Sequence, residues 1–162
     1  MSKIKSILRL MRIHQYVKNM FIFLPLFFAG QITNIVLFSN AFVGFIGFSI
    51  AASAVYTLND FLDIEDDRKH PSKKDRPLAS GLISKKESLV LIGLFSIMGL
   101  TIMATQSIQA LVVLLSYIVL NIGYSFYLKH IPIVDVTIIS IGFVLRLFIG
   151  AIVTVTPLSK WI

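Results

Sequence analysis

Two long stretches of this 162-residue sequence contain no charged side chain. One lies between Lys18 and Asp60, and the other lies between Glu87 and Lys129. About 20 apolar residues in an α-helix are enough to cross a bilayer, so the first stretch has room for two membrane-spanning helices. Neither stretch alternates apolar and polar residues as the strands of a membrane barrel would. The sequence therefore predicts an all-α integral membrane protein, a bundle of about five transmembrane helices.

The apolar runs and the residues that interrupt them define the predicted helices. Ser84 and Glu87 have the spacing of a capping box ahead of the third run. The predicted spans are 14–32, 35–58, 84–105, 109–128 and 132–155. Together they form a single membrane domain over residues 1–162, with a charged loop at 59–86.

The basic residues predict how the bundle is oriented. Lysine and arginine are concentrated before residue 19 and within residues 59–86, whereas the turns near 31–40 and 105–109 carry no charge. Since basic loops face the cytoplasm, the N-terminus and residues 59–86 are predicted to be cytoplasmic, in a bacterial or archaeal plasma membrane. This placement explains the net charge of +7 without nucleic acid, and no nucleic-acid partner is predicted. The sequence has no cysteine, which excludes disulfide and thiolate chemistry.

Six of the eight acidic residues lie between residues 60 and 75. At 100° per residue, Asp60, Asp63 and Asp67 share one face of a helix, and Glu65 points to the opposite side. Oxygen ligands without histidine or cysteine suit Mg²⁺, which binds a few carboxylates together with water and substrate phosphates. The pattern predicts a Mg²⁺ site and catalytic residues at Asp60, Asp63 and Asp67. The alternative is a solvated loop that happens to be acidic.

Basic residues that could hold a phosphorylated substrate lie next to the acidic ones and in the fifth span. Those next to the acids are Arg68, Lys73, Lys74 and Arg76. Asp135 and Arg146 are eleven residues apart, which places them on one side of the fifth helix. An arginine so deep in a membrane should face the bundle interior, either as a structural partner or as a phosphate ligand. Lys129 also has two alternative interpretations. It is either a helix-end lysine that extends to the membrane surface or a phosphate ligand.

These residues resemble a known family, the UbiA-type polyprenyltransferase superfamily. Its first aspartate-rich motif, N-D-x-x-D-x-x-x-D, is matched by Asn59, Asp60, Asp63 and Asp67, and the following "RPLASG" at 76–81 also matches. The segments "QYVKNMFIFLPLFFAG", "DDRKHPSKKDRPLASG" and "YSFYLKHIPIVDVTIISIGFVLRLFIGA" resemble the decaprenyl-phosphate phosphoribosyltransferase branch. The resemblance implies Mg²⁺-dependent transfer of a phosphoribosyl group from phosphoribosyl diphosphate to a polyprenyl phosphate. It adds Lys18 and Asn59 to the predicted phosphate-binding residues.

The sequence differs from that superfamily in the features that members carry in their C-terminal half. Members have about nine spans and a second acidic motif, whereas no acidic motif follows Asp135 here. The chain therefore resembles the N-terminal part of a nine-helix prenyltransferase-like fold, and a separate C-terminal half is a predicted partner. Two alternatives stay open. One is prenyl transfer from a polyprenyl diphosphate to an aromatic or other small acceptor, and the other is a non-catalytic membrane subunit or remnant.

Overall fold

A computed structural model of the chain describes residues 2–128 and 132–158, and this part of the chain is helical without any β-strand. The α-helices are α1 (Lys3–Leu10), α2 (Leu24–Phe28), α3 (Ile35–Leu62), α4 (Ile64–Lys69), α5 (Lys85–Gln106), α6 (Ile108–Gly123) and α7 (Pro132–Val153). A 3-10 helix, Ile13–Phe23, runs into α2, and a π-helix, Tyr124–Leu128, continues α6.

Polar side chains cap the N-termini of three of the long helices. The side chain of Asn34 accepts hydrogen bonds from the backbone amides of the first turn of α3, and Ser107 caps α6 in the same way. At α5, the hydroxyl of Ser84 accepts from the amide of Glu87 while the Glu87 carboxylate accepts from the amide of Ser84. The predicted capping box is therefore confirmed.

Four helices of the described chain are long and apolar enough to cross a membrane. They are Ile35–Leu62, Lys85–Gln106, Ile108–Phe126 and Ile133–Val153. They correspond to the second to fifth predicted spans, which confirms the helical membrane bundle. The first of them continues through Asn59 and Asp60, so the acidic motif begins inside a membrane helix.

The first predicted span, 14–32, is not the single α-helix that the apolar run indicated. Residues Ile13–Phe23 form a 3-10 helix, and only Leu24–Phe28 are α-helical before Gly30 adopts a left-handed backbone at φ 69°. The prediction was wrong in helix type because hydropathy registers apolar length and not the hydrogen-bond pattern. The 3-10 helix rises about 2.0 Å per residue, so the two helices together extend about 30 Å, close to the thickness of the hydrocarbon core.

Small residues allow the helices to approach closely. A Cβ atom on Gly99 of α5 would lie 2.8 Å from the backbone nitrogen of Ala51 in α3, so only glycine fits at this contact. A Cβ atom on Gly150 of α7 would overlap the carbonyl of Ile22 in the 3-10 helix. Such contacts between small residues are typical of membrane helices. The first contact holds α5 against α3, and the second holds the 3-10 helix against α7, which carries Arg146 of the candidate site.

Candidate phosphate and metal site

The centre of the candidate site is a cluster of ion pairs at the charged end of the bundle. Arg76 Nη1 donates to Oδ1 of Asp60 at 3.1 Å and to Oδ2 of Asp67 at 2.8 Å. Arg12 Nη2 donates to the same Oδ1 of Asp60 at 2.5 Å. Both carboxylates are 3% exposed. Two aspartates from successive helices are thus joined through one guanidinium.

Local backbone structure explains this convergence. α3 ends at Leu62, and Asp63 adopts φ −94° and ψ 8° before α4 begins at Ile64. Hydrogen bonds continue across the junction, from Asp63 N to the Asn59 carbonyl and from Asp67 N to the Asp63 carbonyl. Asp60 and Asp67 therefore remain about two turns apart on one side, as the helical spacing predicts.

The turn after α4 presents Arg76 to both carboxylates. Gly81 has φ 76°, which favours glycine, and the amide of Ile83 donates to the carbonyl of Pro77. Leu78 and Ile83 are buried in a small apolar cluster with Leu10 and Ile64. The segment "RPLASG" is therefore a fixed turn, because packing and hydrogen bonds both anchor it.

Asp63 is the third carboxylate of the predicted site. It interacts electrostatically with Tyr124 of the π-helix. Among residues 2–128 and 132–158, no group of three histidine, cysteine or acidic residues is close enough to hold a metal ion. The three-carboxylate Mg²⁺ site stays a prediction, and the ion pairs described here join two of its members, Asp60 and Asp67, through Arg76.

The donor atoms at Asp60 and Asp67 nevertheless fit Mg²⁺. Both carboxylates are buried and contact one shared cation, the guanidinium of Arg76. A Mg²⁺ ion usually binds one or two carboxylates and completes its shell with water and substrate phosphates. Asp60 and Asp67 could therefore hold Mg²⁺ in place of the Arg76 guanidinium.

Arg146 forms the centre of a second cluster, inside the bundle. It is 5% exposed, and its Nε donates to Oδ1 of Asn19 at 2.8 Å. Its Nη1 donates to the carbonyl of Gly142 at 2.6 Å. The guanidinium also lies 4.7 Å from the ring centre of Phe48 and 5.3 Å from that of Tyr117. In the described part of the chain, no carboxylate forms an ion pair with Arg146.

Arg146 borders a cavity of about 210 Å³, which we call the inner cavity. Its polar lining comes from the 3-10 helix, α3, α6, the π-helix and α7. The polar and charged side chains are Lys18, Tyr56, Tyr117, Asn121, Tyr124, Asp135 and Arg146. Asp135 accepts a hydrogen bond from the Tyr124 hydroxyl at 2.6 Å, and Ile138, Ile139 and Phe143 supply apolar surface. Asp135 and Arg146 thus face the same cavity, as their spacing predicts.

The other predicted phosphate ligands lie around these two clusters. Lys18 lines the inner cavity, and Asn59 is half-buried in the last turn of α3. Arg68 donates from Nε to the carbonyl of Ala79 at 3.1 Å and from Nη1 to Glu65 at 3.1 Å, so it anchors the turn. Lys73 is half-buried in the loop that follows α4. Lys129 lies outside the described residues.

Sequence reasoning missed Arg12 and Asn19. Arg12 lies 48 residues from Asp60, and Asn19 lies 127 residues from Arg146. Asn19 was detectable as a polar residue inside an apolar run, where burial usually requires a partner. Arg12 looked like any basic residue of a cytoplasmic segment.

Comparisons with known proteins agree on one family. The UbiA prenyltransferase family profile matches residues 19–162. The decaprenyl-phosphate phosphoribosyltransferase of Corynebacterium glutamicum is 34% identical over 96% of this chain and 48% of its own length. The enzyme of the same name from Mycolicibacterium smegmatis is 32% identical over 98% of this chain and 51% of its own length. The chain therefore spans about half the length of these relatives.

Two further proteins widen the comparison. The 4-hydroxybenzoate octaprenyltransferase of Polynucleobacter asymbioticus is 27% identical over 72% of this chain and 41% of its own length. A solved structure of a digeranylgeranylglyceryl phosphate synthase superposes with a TM-score of 0.78 at 22% identity. The superposition covers 94% of this chain and 54% of that structure, and it supports a common fold.

Proposed function

The chain belongs to the UbiA prenyltransferase family, and from this we propose that it carries the first acidic motif of a membrane phosphoribosyltransferase. The proposed reaction moves a phosphoribosyl group from phosphoribosyl diphosphate to a polyprenyl phosphate. The relatives named for phosphoribosyl transfer support this choice, because they match over 96–98% of the chain. The octaprenyltransferase matches over 72% of it. Since the chain spans about half of those relatives, the activity belongs to this chain together with the segment that corresponds to their second half.

The observation that carries the proposal is the presence of two charged clusters along α3, one at its C-terminal end at Asp60 and one near its middle at Phe48. One cluster contains buried carboxylates that fit a divalent cation, and the other contains a buried arginine without a carboxylate partner among the described residues. Transfer from a diphosphate to a phosphate needs both features, a place for metal and leaving group and a place for the acceptor anion. An acidic loop without catalytic function requires neither cluster to be buried.

In the proposed reaction, the bond between C1 of the ribose and the diphosphate oxygen breaks, and the electron pair leaves with the diphosphate. An oxygen of the lipid phosphate forms the new bond to C1. Asp60 and Asp67 would hold Mg²⁺, with Asp63 adding negative charge nearby. When bound, Mg²⁺ supplies positive charge that stabilises the departing diphosphate.

The inner cavity would receive the phosphate of the acceptor lipid. Lys18 and Arg146 supply positive charge there, and a guanidinium can bind phosphate oxygens through paired hydrogen bonds. Ile138, Ile139 and Phe143 line the same cavity and would keep water away from the cationic ribose carbon. This arrangement favours transfer to the lipid over hydrolysis of the donor.

Assays with each donor test the reaction. The membranes should contain the chain together with a segment that corresponds to the second half of its relatives. They should convert phosphoribosyl diphosphate and decaprenyl phosphate to a phosphoribosyl lipid, which mass spectrometry detects. Asp63→Asn should lower the rate at least about tenfold. Asp66→Asn, at an exposed position of the same segment, is the matched control. Turnover of a polyprenyl diphosphate with 4-hydroxybenzoate instead would favour prenyl transfer, and turnover of neither donor would favour a non-catalytic subunit.

The proposal also places residues 59–86 on the cytoplasmic side, where phosphoribosyl diphosphate is made. The chain has no native cysteine, so a single cysteine can be placed at Ser72, which is exposed, or at Gln106 at the end of α5. A membrane-impermeant maleimide should label position 106 in intact cells and position 72 only after the membrane is opened. Labelling of position 72 from outside intact cells would reverse the orientation.

A further inference from the structure

A groove of about 300 Å³ lies between α1 and the start of α5, and we call it the α1–α5 groove. Its walls are apolar, and charged side chains lie at its rim. The wall residues are Ile7, Ile83, Val90 and Leu91, and the rim residues are Lys3, Lys86 and Glu87. We propose that this groove binds an anionic phospholipid, with an acyl chain along the walls and the phosphate at Lys86. The proposal depends on the membrane bundle and not on the proposed function.

The position of the groove along α5 places it at the edge of the membrane. α5 is a candidate membrane span of 22 residues. At 1.5 Å per residue it extends about 33 Å, close to the thickness of the hydrocarbon core, so Lys85 and Lys86 lie at the bilayer surface. Val90 is one helical turn below Lys86, about 6 Å deeper. A phospholipid has the same order, a charged phosphate above apolar acyl chains.

α1 has the surface of a helix that lies in a membrane interface. At 100° per residue, Ile4, Leu8 and the groove residue Ile7 lie within about 100° of one another. Lys5 and Arg9 lie on a different side of the helix. Ile4 is 71% exposed and Leu8 is 45% exposed, so the described part of the chain leaves this apolar face uncovered. Helices of this kind bury their apolar face among the lipids and are attracted to anionic headgroups by their basic side.

The charges at the rim favour an anionic headgroup. Glu87 forms an ion pair with Lys3, so its negative charge is already compensated. Lys86 is exposed, and no ion pair in the described part of the chain involves it. The rim therefore carries one lysine whose charge is available to a phosphate. A lysine at the membrane surface attracts anionic lipid headgroups.

The α1–α5 groove is separate from the inner cavity. The residues that line it in the described structure do not line the inner cavity, which is formed by the 3-10 helix, α3, α6, the π-helix and α7. Val90 is 69% exposed on the outer surface of α5, so an acyl chain reaches the groove directly from the bilayer. The groove thus suits a lipid of the surrounding leaflet and not the polyprenyl phosphate proposed for the inner cavity.

A bound lipid would hold the start of α1 against α5. Among the described residues, one ion pair joins the two helices, that of Lys3 with Glu87. These side chains are 66% and 39% exposed, and such surface pairs contribute little stability. α1 leads through Met11 to Arg12, which pairs with Asp60 of the acidic motif. The lipid would therefore stabilise the segment that carries Arg12.

Native mass spectrometry of the purified chain tests the proposal, in detergent with equal amounts of dioleoyl phosphatidylglycerol and dioleoyl phosphatidylcholine. The chain should retain the anionic lipid preferentially. Lys86→Gln should weaken its binding about fivefold, as expected for one charge at the membrane surface. Lys85→Gln is the matched control, because it removes the same charge one residue earlier, outside the groove lining. Equal retention of both lipids, or equal losses in the two variants, overturns the proposal.

A second pair of variants tests the place of the acyl chain. Val90→Trp puts a large side chain into the groove and should displace the lipid, whereas Leu89→Trp, outside the lining, should not. Both positions are exposed on α5, so both variants should keep the helix packing. In the unaltered chain, and not in Val90→Trp, the lipid should also slow hydrogen exchange at the amides of α1. Undiminished binding in Val90→Trp would contradict the groove as the binding site.

Two competitors identify the occupant. Glycerol phosphate has the phosphate of the headgroup but no acyl chain, and it should not displace phosphatidylglycerol. Displacement by glycerol phosphate would show a site for free phosphate and overturn the assignment to a lipid. If decaprenyl phosphate replaces phosphatidylglycerol and its binding depends on Lys86, the groove receives the acceptor lipid and the assignment to a membrane phospholipid is wrong.

Discussion

Two arginine clusters lie at different depths of this bundle, one half-buried and one buried, and they balance charge in opposite ways. Near the charged end, Arg12 and Arg76 are neutralised by the carboxylates of Asp60 and Asp67. In the interior, Arg146 is held by an amide oxygen, a backbone carbonyl and aromatic rings, all of which are neutral. Neutral partners satisfy its hydrogen bonds, and Asp135, which lines the same cavity, forms its hydrogen bond with Tyr124 and no ion pair with Arg146.

This difference separates structural from ligand-binding roles. A cluster with its own counter-ions can be stable without a ligand, and a ligand must compete with those counter-ions. A buried arginine with neutral partners keeps a net charge in a low-dielectric surrounding, where an anion would be bound strongly. The comparison predicts that changes at the first cluster affect stability most and that changes at Arg146 affect anion binding most.

The largest effect is expected for Asp60→Ala. The substitution leaves Arg12 and Arg76 without their shared partner, and breaking a partly buried ion pair costs about 3 kcal/mol. Denaturation of the purified protein in detergent should show this loss in the free energy of unfolding. Asp66→Ala, at an exposed position, is the control and should change it by less than about 0.5 kcal/mol. Equal stability of the two variants would mean that the ion-pair cluster does not stabilise the fold.

A smaller effect, on binding instead of stability, is expected for Arg146→Lys. Lysine keeps the charge but cannot form paired hydrogen bonds with phosphate, so the affinity for polyprenyl phosphate in micelles should fall about tenfold. The midpoint of unfolding should remain close to that of the unaltered protein. Arg146→Met removes the charge as well and should abolish binding. Undiminished binding in both variants would show that Arg146 is structural and that the lipid phosphate binds elsewhere.

The smallest effect is expected for Glu65→Gln. Its side chain is 66% exposed and pairs with Arg68 at the surface, and such pairs contribute about 0–1 kcal/mol. Binding of Mg²⁺ with diphosphate should be unchanged, whereas Asp63→Asn should weaken it. If Glu65→Gln impaired metal binding as much as Asp63→Asn, the assignment of the carboxylates by helical face would be wrong.

Local features of this protein were readable from the sequence because neighbouring residues decide them. The charge-free runs, the capping box at Ser84 and Glu87, and the turn that ends at Gly81 all depend on residues within a few positions of one another. The spacing of Asp60 and Asp67 follows from helical geometry in the same way. These features were sufficient to predict a helical membrane bundle with an acidic motif at the end of one span.

The partners of the site residues depended on the packing of distant segments. Arg12 reaches Asp60 across 48 residues, and Asn19 reaches Arg146 across 127. Periodicity specifies the face on which a side chain lies, but the neighbour against that face is set by how closely the helices approach. Gly150 against the Ile22 carbonyl determines one such approach, and it brings the 3-10 helix, with Asn19, beside α7. Long-range packing therefore decided which arginines have carboxylate partners and which one has neutral partners, because ion pairing requires contact in space and not proximity in the chain.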